Sequence, residues 1–316
     1  MSTNGSGNTG LPDLSIYPSL ASVVQAQLSM WPEHTRYITQ RFGEDDPAFL
    51  QRTDDVARLV MLLAGKELSQ YCSDYRWMCA NFMEEELHFR RHQRYRLQTF
   101  AEADREVYSN PAYMSRYVNG ILISQLFWRN HAQALDLFRT AFLPRLPDRF
   151  NHLEVGPGHG LFLSYAALDS RCKAATGWDV SSSSVHATRH ALEIFGIRRP
   201  IDLTVQNVLE APAQREQFDS AIISEVLEHL EQPRKALETL FASLRPGGMI
   251  FINVPINSPA PDHIYLWTTP EAVAQLIHEA GFDIETFYEL PMTGFTLERA
   301  RRTRAGISCV AFARKP

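Results

Sequence analysis

The spacing of hydrophobic residues divides the chain into two halves. From about residue 18 to 143, apolar residues recur every three or four positions, as in ASVVQAQLSMW, DDVARLVMLLAGKEL and NGILISQLFWRNHAQALDLFRTAFL, which predicts helices. After about residue 148 the runs are short, apolar or alternating: NHLEVG, KAATGWDV, IDLTVQN, FDSAIISEV, GGMIFINVP and DIETFYEL. Helical stretches separate most of them, and strands that alternate with helices predict a mostly parallel sheet covered on both faces.

The pattern predicts three segments. Residues 1–17 begin with a stretch rich in Gly, Ser, Asn and Thr, which is typical of a disordered tail. Residues 18–147 form an all-helical region that holds 18 of the 34 aromatic residues. Residues 148–316 form the α/β domain, and the boundary falls at Leu146-Pro147-Asp148.

Composition and charge exclude several classes of protein. The chain has 316 residues, of which 45% are hydrophobic and 21% charged, and its formal net charge is −5. This acidic balance argues against an extended basic surface that could bind a phosphate backbone, so we expect no nucleic-acid partner. No apolar run approaches the roughly 20 residues of a membrane span, and the N-terminus lacks the features of a signal peptide. With four cysteines and no CxxC pair, we expect a reduced cytoplasmic protein without a membrane partner, and a homodimer stays open.

The segment HLEVGPGHGLFL is the most informative in the chain. An apolar strand ends in Glu154 and runs into Gly156, Gly158 and Gly160, after which a helix begins. Glycine permits positive φ angles and close approach of the backbone to a ligand, and a helix N-terminus offers free N–H groups. The segment therefore predicts a nucleotide-type site at the first βα turn. Its spacing, ExGxGxG, differs from the GxGxxG of dinucleotide-binding proteins.

Polar residues also follow the next strands. Asp179 ends the second strand in WDV, and an acid at this position can accept hydrogen bonds from both hydroxyls of a ribose. Asn207 follows the third strand in QNV, where an amide could meet an adenine edge. The fourth strand is followed by SEVLEHL, and the turn LRPGG precedes the fifth strand.

The ordered set ExGxGxG, WDV, QNV, SEVLEHL and LRPGG resembles the class I S-adenosylmethionine-dependent methyltransferases over about residues 150–316. SEVLEHLEQP is similar to the ubiquinone-biosynthesis O-methyltransferase branch. The resemblance implies a Rossmann-like, doubly wound seven-stranded α/β sheet whose last strand is antiparallel. It also implies S-adenosyl-L-methionine as the cofactor and a small-molecule substrate. The helical half is then expected to be a cap over the carboxyl edge of the sheet.

The resemblance implies a role for each cofactor-binding position. The glycine backbone would hold the methionine end, and acidic side chains would meet the ammonium group and the ribose. The implied set is Glu154, Gly156, Gly158, Gly160, Asp179, Val180, Asn207, Val208, Ser224 and Glu225. Two alternatives stay open: Glu154 only braces the loop, or Asn207 only caps a strand.

Two histidines are candidates for the catalytic proton acceptor, because a hydroxyl nucleophile must lose a proton near neutral pH. His229 lies in Glu225-x-x-Glu228-His229, and His263 lies in the proline-rich loop 257–267. Similar Glu-x-x-Glu-His sequences in the ubiquinone branch can hold a divalent cation. We predict no metal here, because a fourth protein ligand is not evident, and we expect Glu228 to face a helix or a backbone donor. A structural role for each histidine stays open.

These residues favour methyl transfer to a small aromatic or apolar metabolite in specialised or cofactor biosynthesis. O-methylation is the favoured reaction. C- or N-methylation of a prenyl, indole or carrier-bound substrate is the alternative. A methyltransferase for RNA or protein suits the acidic charge less well. A non-catalytic binding module and a dehydrogenase remain as rivals, although the chain keeps the glycines and the ribose acid.

Overall fold

A computed structural model of the chain describes residues 12–210 and 216–316. Residues 1–11 of the expected tail lie outside the described residues. The disordered tail was expected to extend to residue 17. Leu14 and Tyr17 are instead buried in the core of the helical half, so the packed structure begins before residue 18. Among the described residues, no helix is long and apolar enough to cross a membrane.

The N-terminal half is helical, as the hydrophobic spacing predicts. Proline in the first turn and side-chain caps define several helix starts; Asp46, for example, accepts a hydrogen bond from the backbone N–H of Phe49. Trp128 has an extended backbone (φ −92°, ψ 117°) and divides the last long apolar stretch into two helices. The helices are α1 Pro18–Met30, α2 Thr35–Phe42, α3 Pro47–Ala64, α4 Leu68–His92, α5 Phe100–Ala103, α6 Pro111–Phe127 and α7 Arg129–Leu137.

The C-terminal half is a seven-stranded sheet in the order β3-β2-β1-β4-β5-β7-β6. Strand β7 is antiparallel to both of its neighbours, and the other neighbouring strands are parallel. The strands are β1 Phe150–Val155, β2 Cys172–Asp179, β3 Ile201–Val205, β4 Phe218–Ser224, β5 Leu244–Ile256, β6 Asp283–Pro291 and β7 Ile307–Arg314. The helices of this half are α8 Leu161–Leu168, α9 Ser182–Ile194, α10 Pro233–Ser243, α11 Pro270–Glu279 and α12 Leu297–Thr303. The predicted Rossmann-like, doubly wound fold is confirmed.

The two halves share one hydrophobic core, so the expected boundary near residue 148 does not separate two cores. Phe142, in the turn after α7, packs edge-on against Phe251 of β5 and Phe312 of β7, with ring centroids 5.6 and 5.4 Å away. These contacts join the end of the helical half to one face of the sheet, which α8 and α9 also cover. Helices α10, α11 and α12 cover the other face.

Candidate functional site

The glycine loop after β1 is a tight backbone turn at the carboxyl edge of the sheet. Gly156, Gly158 and Gly160 all have positive φ angles, of 71°, 51° and 79°. A Cβ atom on Gly156 would lie 2.5 Å from Cγ2 of Val226, whereas one on Gly158 would meet only a backbone oxygen at 3.9 Å. The first position therefore requires glycine for space as well as conformation, and the second leaves room above the backbone for a ligand.

Glu154 lies at the base of this loop with an unsatisfied oxygen. Its side chain is buried, and Oε2 has no hydrogen-bond partner among the described residues. Burial raises the pKa of the carboxyl well above its ordinary value, and Asp179 adds to the shift. An ammonium group at Oε2 would supply both the missing donor and the opposing charge, so this residue fits the methionine end of S-adenosylmethionine.

Asp179 ends β2 beside the loop and faces the same cavity. Its Oδ1 accepts a hydrogen bond from the backbone N–H of Ser181 at 2.9 Å. Burial raises the pKa of this carboxyl to about 6, although the Ser181 hydrogen bond opposes the shift. Val180, next in the chain, is 39% exposed and lines the cavity. A carboxylate with an apolar side chain beside it fits a ribose joined to an adenine.

Asn207 and Val208 line the cavity after β3. The Asn207 side chain is engaged locally, because Oδ1 accepts from the N–H of Leu209 at 3.0 Å and Nδ2 donates to Glu210 at 3.3 Å. These hydrogen bonds cap the turn that follows β3 and leave one lone pair of Oδ1 without a partner among the described residues. Val208 is buried beside it.

Glu225, just after β4, has a strained backbone for a residue with a side chain, at φ 54°. Three contacts hold it: its N–H donates to the carbonyl of Asn253 at 2.9 Å, and Oε1 accepts from Asn253 Nδ2 at 2.9 Å and from the Ser308 hydroxyl at 3.4 Å. Ser224 Oγ accepts a second hydrogen bond from Asn253 Nδ2 at 3.1 Å. The sequence places Ser224 and Glu225 in the cofactor set, and both line the cavity.

Glu228, His229 and His263 converge although two elements supply them. Each histidine Nδ1 lies against a backbone carbonyl, that of Asp262 at 3.0 Å for His229 and that of Ser258 at 2.6 Å for His263. A carbonyl only accepts, so both Nδ1 atoms carry the proton and both Nε2 atoms present a lone pair. These Nε2 atoms lie 3.7 and 3.9 Å from Oε1 of Glu228.

This placement corrects the expected environment of Glu228. Its side chain is fully buried, and its carboxylate oxygens have no hydrogen-bond partner in the described part of the chain, so it faces imidazoles rather than a backbone donor. Burial raises its pKa well above the ordinary value, and Glu225 adds to the shift. One ligand atom from each of Glu228, His229 and His263 lies within 4.8 Å of the others, a spacing that would suit either a shared proton or a cation.

The helical half contributes residues to the site at the carboxyl edge of the sheet, and its role as a cap stays a prediction. Tyr108 and Tyr117 donate their hydroxyl protons to the two carboxylate oxygens of Asp262, at 3.1 and 3.0 Å. Residues of both halves line one cavity of about 450 Å³. Its walls include Phe82, Phe100, Tyr108, Met114, Tyr117, Ile121, Trp128 and His131 from the helical half.

The sequence did not identify three polar residues of this cavity. Asp262 lies next to His263 in the loop 257–267, and His131 lies on α7. His159 lies within the glycine loop, where its Nδ1 accepts from the N–H of Leu161 at 3.2 Å. Burial lowers the pKa of His159 to about 4. Its position in GPGHG was the one available signal, whereas His131 and Asp262 reach the cavity only through packing of distant elements.

Comparisons with known proteins agree with this geometry. The profile of a family described as a methyltransferase domain matches residues 127–286. An uncharacterised protein of Synechococcus sp. is 29% identical over 130 residues, which are 40% of this chain and 30% of that protein. A ubiquinone biosynthesis O-methyltransferase of Coxiella burnetii is 28% identical over 135 residues, which are 43% of this chain and 56% of the relative. The chain therefore covers less than two thirds of either relative.

A solved structure shows the same fold. The putative sarcosine dimethylglycine methyltransferase from Galdieria sulphuraria superposes with a TM-score of 0.50 at 13% identity, over 58% of this chain and 85% of that one. The family match begins at residue 127, so it includes α7, which the sequence assigned to the helical cap. With half of its length matched and the order of its strands and cofactor loop in place, the chain belongs to the class I S-adenosylmethionine-dependent methyltransferase-domain family.

Proposed function

We propose that the protein methylates a small, neutral aromatic or apolar molecule, with oxygen as the favoured acceptor atom. The observation that carries the proposal is the composition of the cavity beyond the cofactor residues. Many of its wall residues there are aromatic or aliphatic, with Phe82, Ile121 and Trp128 among them, and Gln125, Ser258 and Asp262 add polar groups. Its polar groups include the imidazoles of His131, His159, His229 and His263. An apolar space with few polar groups is typical of small-molecule sites.

The cofactor would be held by the residues of the first four strand ends. Glu154 Oε2 would accept from the ammonium group, and the Asp179 carboxylate would accept from the ribose hydroxyls. Val180 would pack against the adenine, and Asn207 and Val208 would meet the adenine edge. When bound, S-adenosylmethionine supplies a methyl group that is activated by a positively charged sulfur.

The chain itself would align the acceptor and exclude water, which are the main requirements of methyl transfer. Tyr108 and Tyr117 hold the helical half to the loop of Asp262, and this contact would help to keep bulk water from the reacting atoms. Ser224 and Glu225 would lie beneath the sulfur, where a carboxylate favours the positive charge before transfer.

The proton of a substrate hydroxyl would go to His229. Burial lowers the pKa of His263 to about 3, so this imidazole accepts a hydrogen bond but holds a full proton poorly. His229 is less buried, with 15% of its side chain exposed, and its Nε2 lone pair is free to receive the proton. We propose that Glu228 is protonated and would donate toward Nε2 of His263, 3.9 Å away, which leaves Nε2 of His229 for the substrate proton and needs no metal.

Alternatives differ in the acceptor atom. The similarity to a ubiquinone biosynthesis O-methyltransferase supports oxygen, whereas a carbon or neutral amine acceptor would make His229 dispensable. The test is transfer of label from methyl-tritiated S-adenosylmethionine to a panel of phenols, anilines, indoles and carboxylic acids. We expect labelled phenol ethers, and at least a 100-fold loss of that product in His229→Ala, the range of general-base catalysis. Label only in carboxylic acids would contradict the neutral-substrate proposal, and label only on carbon or nitrogen would contradict O-methylation.

A further inference from the structure

His131 is an imidazole that the helical half contributes to the cavity and that the proposed chemistry does not use. It is the third residue of α7, it is 7% exposed, and it lines the cavity beside Gln125 and Trp128. Its Nε2 makes no hydrogen bond with any described residue. An acceptor that is accessible from the cavity and has no protein partner can accept a hydrogen bond from a ligand group.

The tautomer of His131 follows from its neighbour on α6. The hydroxyl of Ser124 has one proton, and it donates this proton to the carbonyl of Ile121 at 2.7 Å. Ser124 Oγ also lies 2.9 Å from Nδ1 of His131. Since the hydroxyl proton is already used, Nδ1 must carry the hydrogen and donate it to Oγ. The other nitrogen, Nε2, therefore presents a lone pair.

The orientation of the ring is fixed as well. Trp128 packs edge-on against the imidazole with ring centroids 4.8 Å apart, and its own Nε1 donates to the hydroxyl of Tyr75 at 3.0 Å. A flip of the imidazole would break the Ser124 hydrogen bond and place a C–H group against Oγ. The lone pair of Nε2 is thus held in one direction.

The imidazole also stays neutral. Burial lowers the pKa of His131 to about 3, and the nearby His159 and His263 add to the shift. Above about pH 4 the Nε2 atom is consequently an acceptor and not a donor. His159 has the opposite tautomer, since its Nδ1 accepts from Leu161, so its Nε2 carries a proton.

We propose that His131 is a specificity-determining residue whose Nε2 accepts a hydrogen bond from an O–H or N–H group of the substrate. The inference rests on the proposed function only in placing the substrate in the aromatic part of the cavity. A neutral molecule with a hydroxyl at this point satisfies the lone pair, whereas its methyl ether buries the lone pair without a donor. The loss of one such hydrogen bond corresponds to about tenfold in affinity.

The test uses phenol and anisole, which differ by one methyl group, as probes of the full-length protein. Binding is measured by NMR in the presence of saturating S-adenosylhomocysteine, with ¹⁵N-labelled histidine reporting the tautomer of His131. Three variants distinguish the possible causes of a preference for phenol. His131→Phe removes the acceptor, His131→Gln restores a carbonyl acceptor, and Ser124→Ala keeps the imidazole but frees its tautomer.

We expect the unaltered protein to show the Nδ1–H tautomer and to bind phenol about tenfold more tightly than anisole. The preference should vanish in His131→Phe, return in part in His131→Gln and fall in Ser124→Ala. An Nε2–H tautomer, equal affinity for the probes, no response of His131 to phenol, or a preference that survives in His131→Phe would each overturn the proposal. Failure to bind S-adenosylhomocysteine would instead count against the proposed function, and the tautomer could still be measured without it.

Discussion

The hydroxyl of Tyr117 on α6 donates a hydrogen bond to Oδ1 of Asp262, 3.0 Å away and 145 residues further along the chain. The carboxylate is buried, and its second oxygen accepts from Tyr108. The backbone carbonyl of Asp262 receives Nδ1–H of His229. One residue thus joins the helical half to the imidazole proposed to receive the substrate proton.

Replacement of Asp262 should loosen this junction. Asp262→Ala leaves two part-buried tyrosine hydroxyls without an acceptor, so we expect a loss of about 2–4 kcal/mol in the free energy of unfolding. Tyr117→Phe removes one donor and should cost only about 1 kcal/mol. Urea denaturation measures both. If Asp262→Ala is no less stable than Tyr117→Phe, the two hydroxyls are not held by this carboxylate.

Gly156 should tolerate no side chain. Its φ of 71° strains any other residue, and a Cβ would lie 2.5 Å from Val226 Cγ2. We expect Gly156→Ala to lower the free energy of unfolding by about 2–4 kcal/mol, from strain and overlap together.

The control for Gly156 is Gly247→Ala. Gly247 has a similar φ of 76° but no atom within 4 Å of an added Cβ, so this variant should lose only about 1 kcal/mol. Adding Val226→Ala to Gly156→Ala should recover part of the loss. Equal destabilisation in the two glycine variants would show that the overlap with Val226 is unimportant.

Much of the cofactor loop is predictable from the sequence because its determinants are local. Gly156 and Asp179 follow directly from strand ends, and in a parallel sheet such ends meet at one edge. The same reasoning places Glu225 at this edge but does not reveal its positive φ, since that conformation depends on Asn253 and Ser308 from two other strands.

The remaining site residues depend on contacts that spacing does not encode. His131 reaches the cavity because the turn after α7 packs through Phe142 onto β5 and β7. Asp262 lies in the loop 257–267 that the sequence singles out for His263, yet its tyrosine partners lie in the other half of the chain. The seventh strand was predicted only through the family resemblance, because the hydrophobic pattern did not identify ISCVAFAR as a strand.

The affinity for S-adenosylhomocysteine should depend on the ionisation of Asp179. Burial raises the pKa of its carboxyl to about 6, so in the free protein this group takes up a proton as the pH falls through 6. A protonated carboxyl accepts ribose hydroxyls less well than the carboxylate does. We therefore expect binding about tenfold weaker at pH 5 than at pH 7 by calorimetry.

The matched variant for this pH dependence is Asp179→Asn, which cannot ionise. Its affinity should be weaker at pH 7 and should change less between pH 5 and 7, with Glu154 supplying what dependence is left. An Asp179→Asn profile as steep as that of the unaltered protein would assign the dependence to another group.

The cluster of Glu228, His229 and His263 should work with a proton and without a metal. We expect purified protein to contain less than about 0.1 equivalent of any divalent ion, and methyl transfer to continue after exhaustive chelation. The physical reason is that burial already raises the pKa of Glu228 well above its ordinary value, so a proton relieves its repulsion with Glu225.

Metal analysis of Glu228→Gln provides the control for this cluster. Activity that is lost to a chelator and restored by magnesium, manganese or zinc would contradict the metal-free account. So would a stoichiometric ion that is present in the unaltered protein and absent from Glu228→Gln.

The central claim, that the glycine loop and Asp179 form an S-adenosylmethionine site, is tested most directly by titration calorimetry. The protein is titrated with S-adenosylhomocysteine and, in parallel, with NAD; Asp179→Ala and the exposed Asp202→Ala serve as variant and control. We predict one site per chain for S-adenosylhomocysteine, no heat from NAD, a loss of about 1.5–3 kcal/mol in Asp179→Ala and no change in Asp202→Ala. Saturable binding of NAD, or an Asp179→Ala variant that is folded and binds S-adenosylhomocysteine with unchanged affinity, would contradict the account.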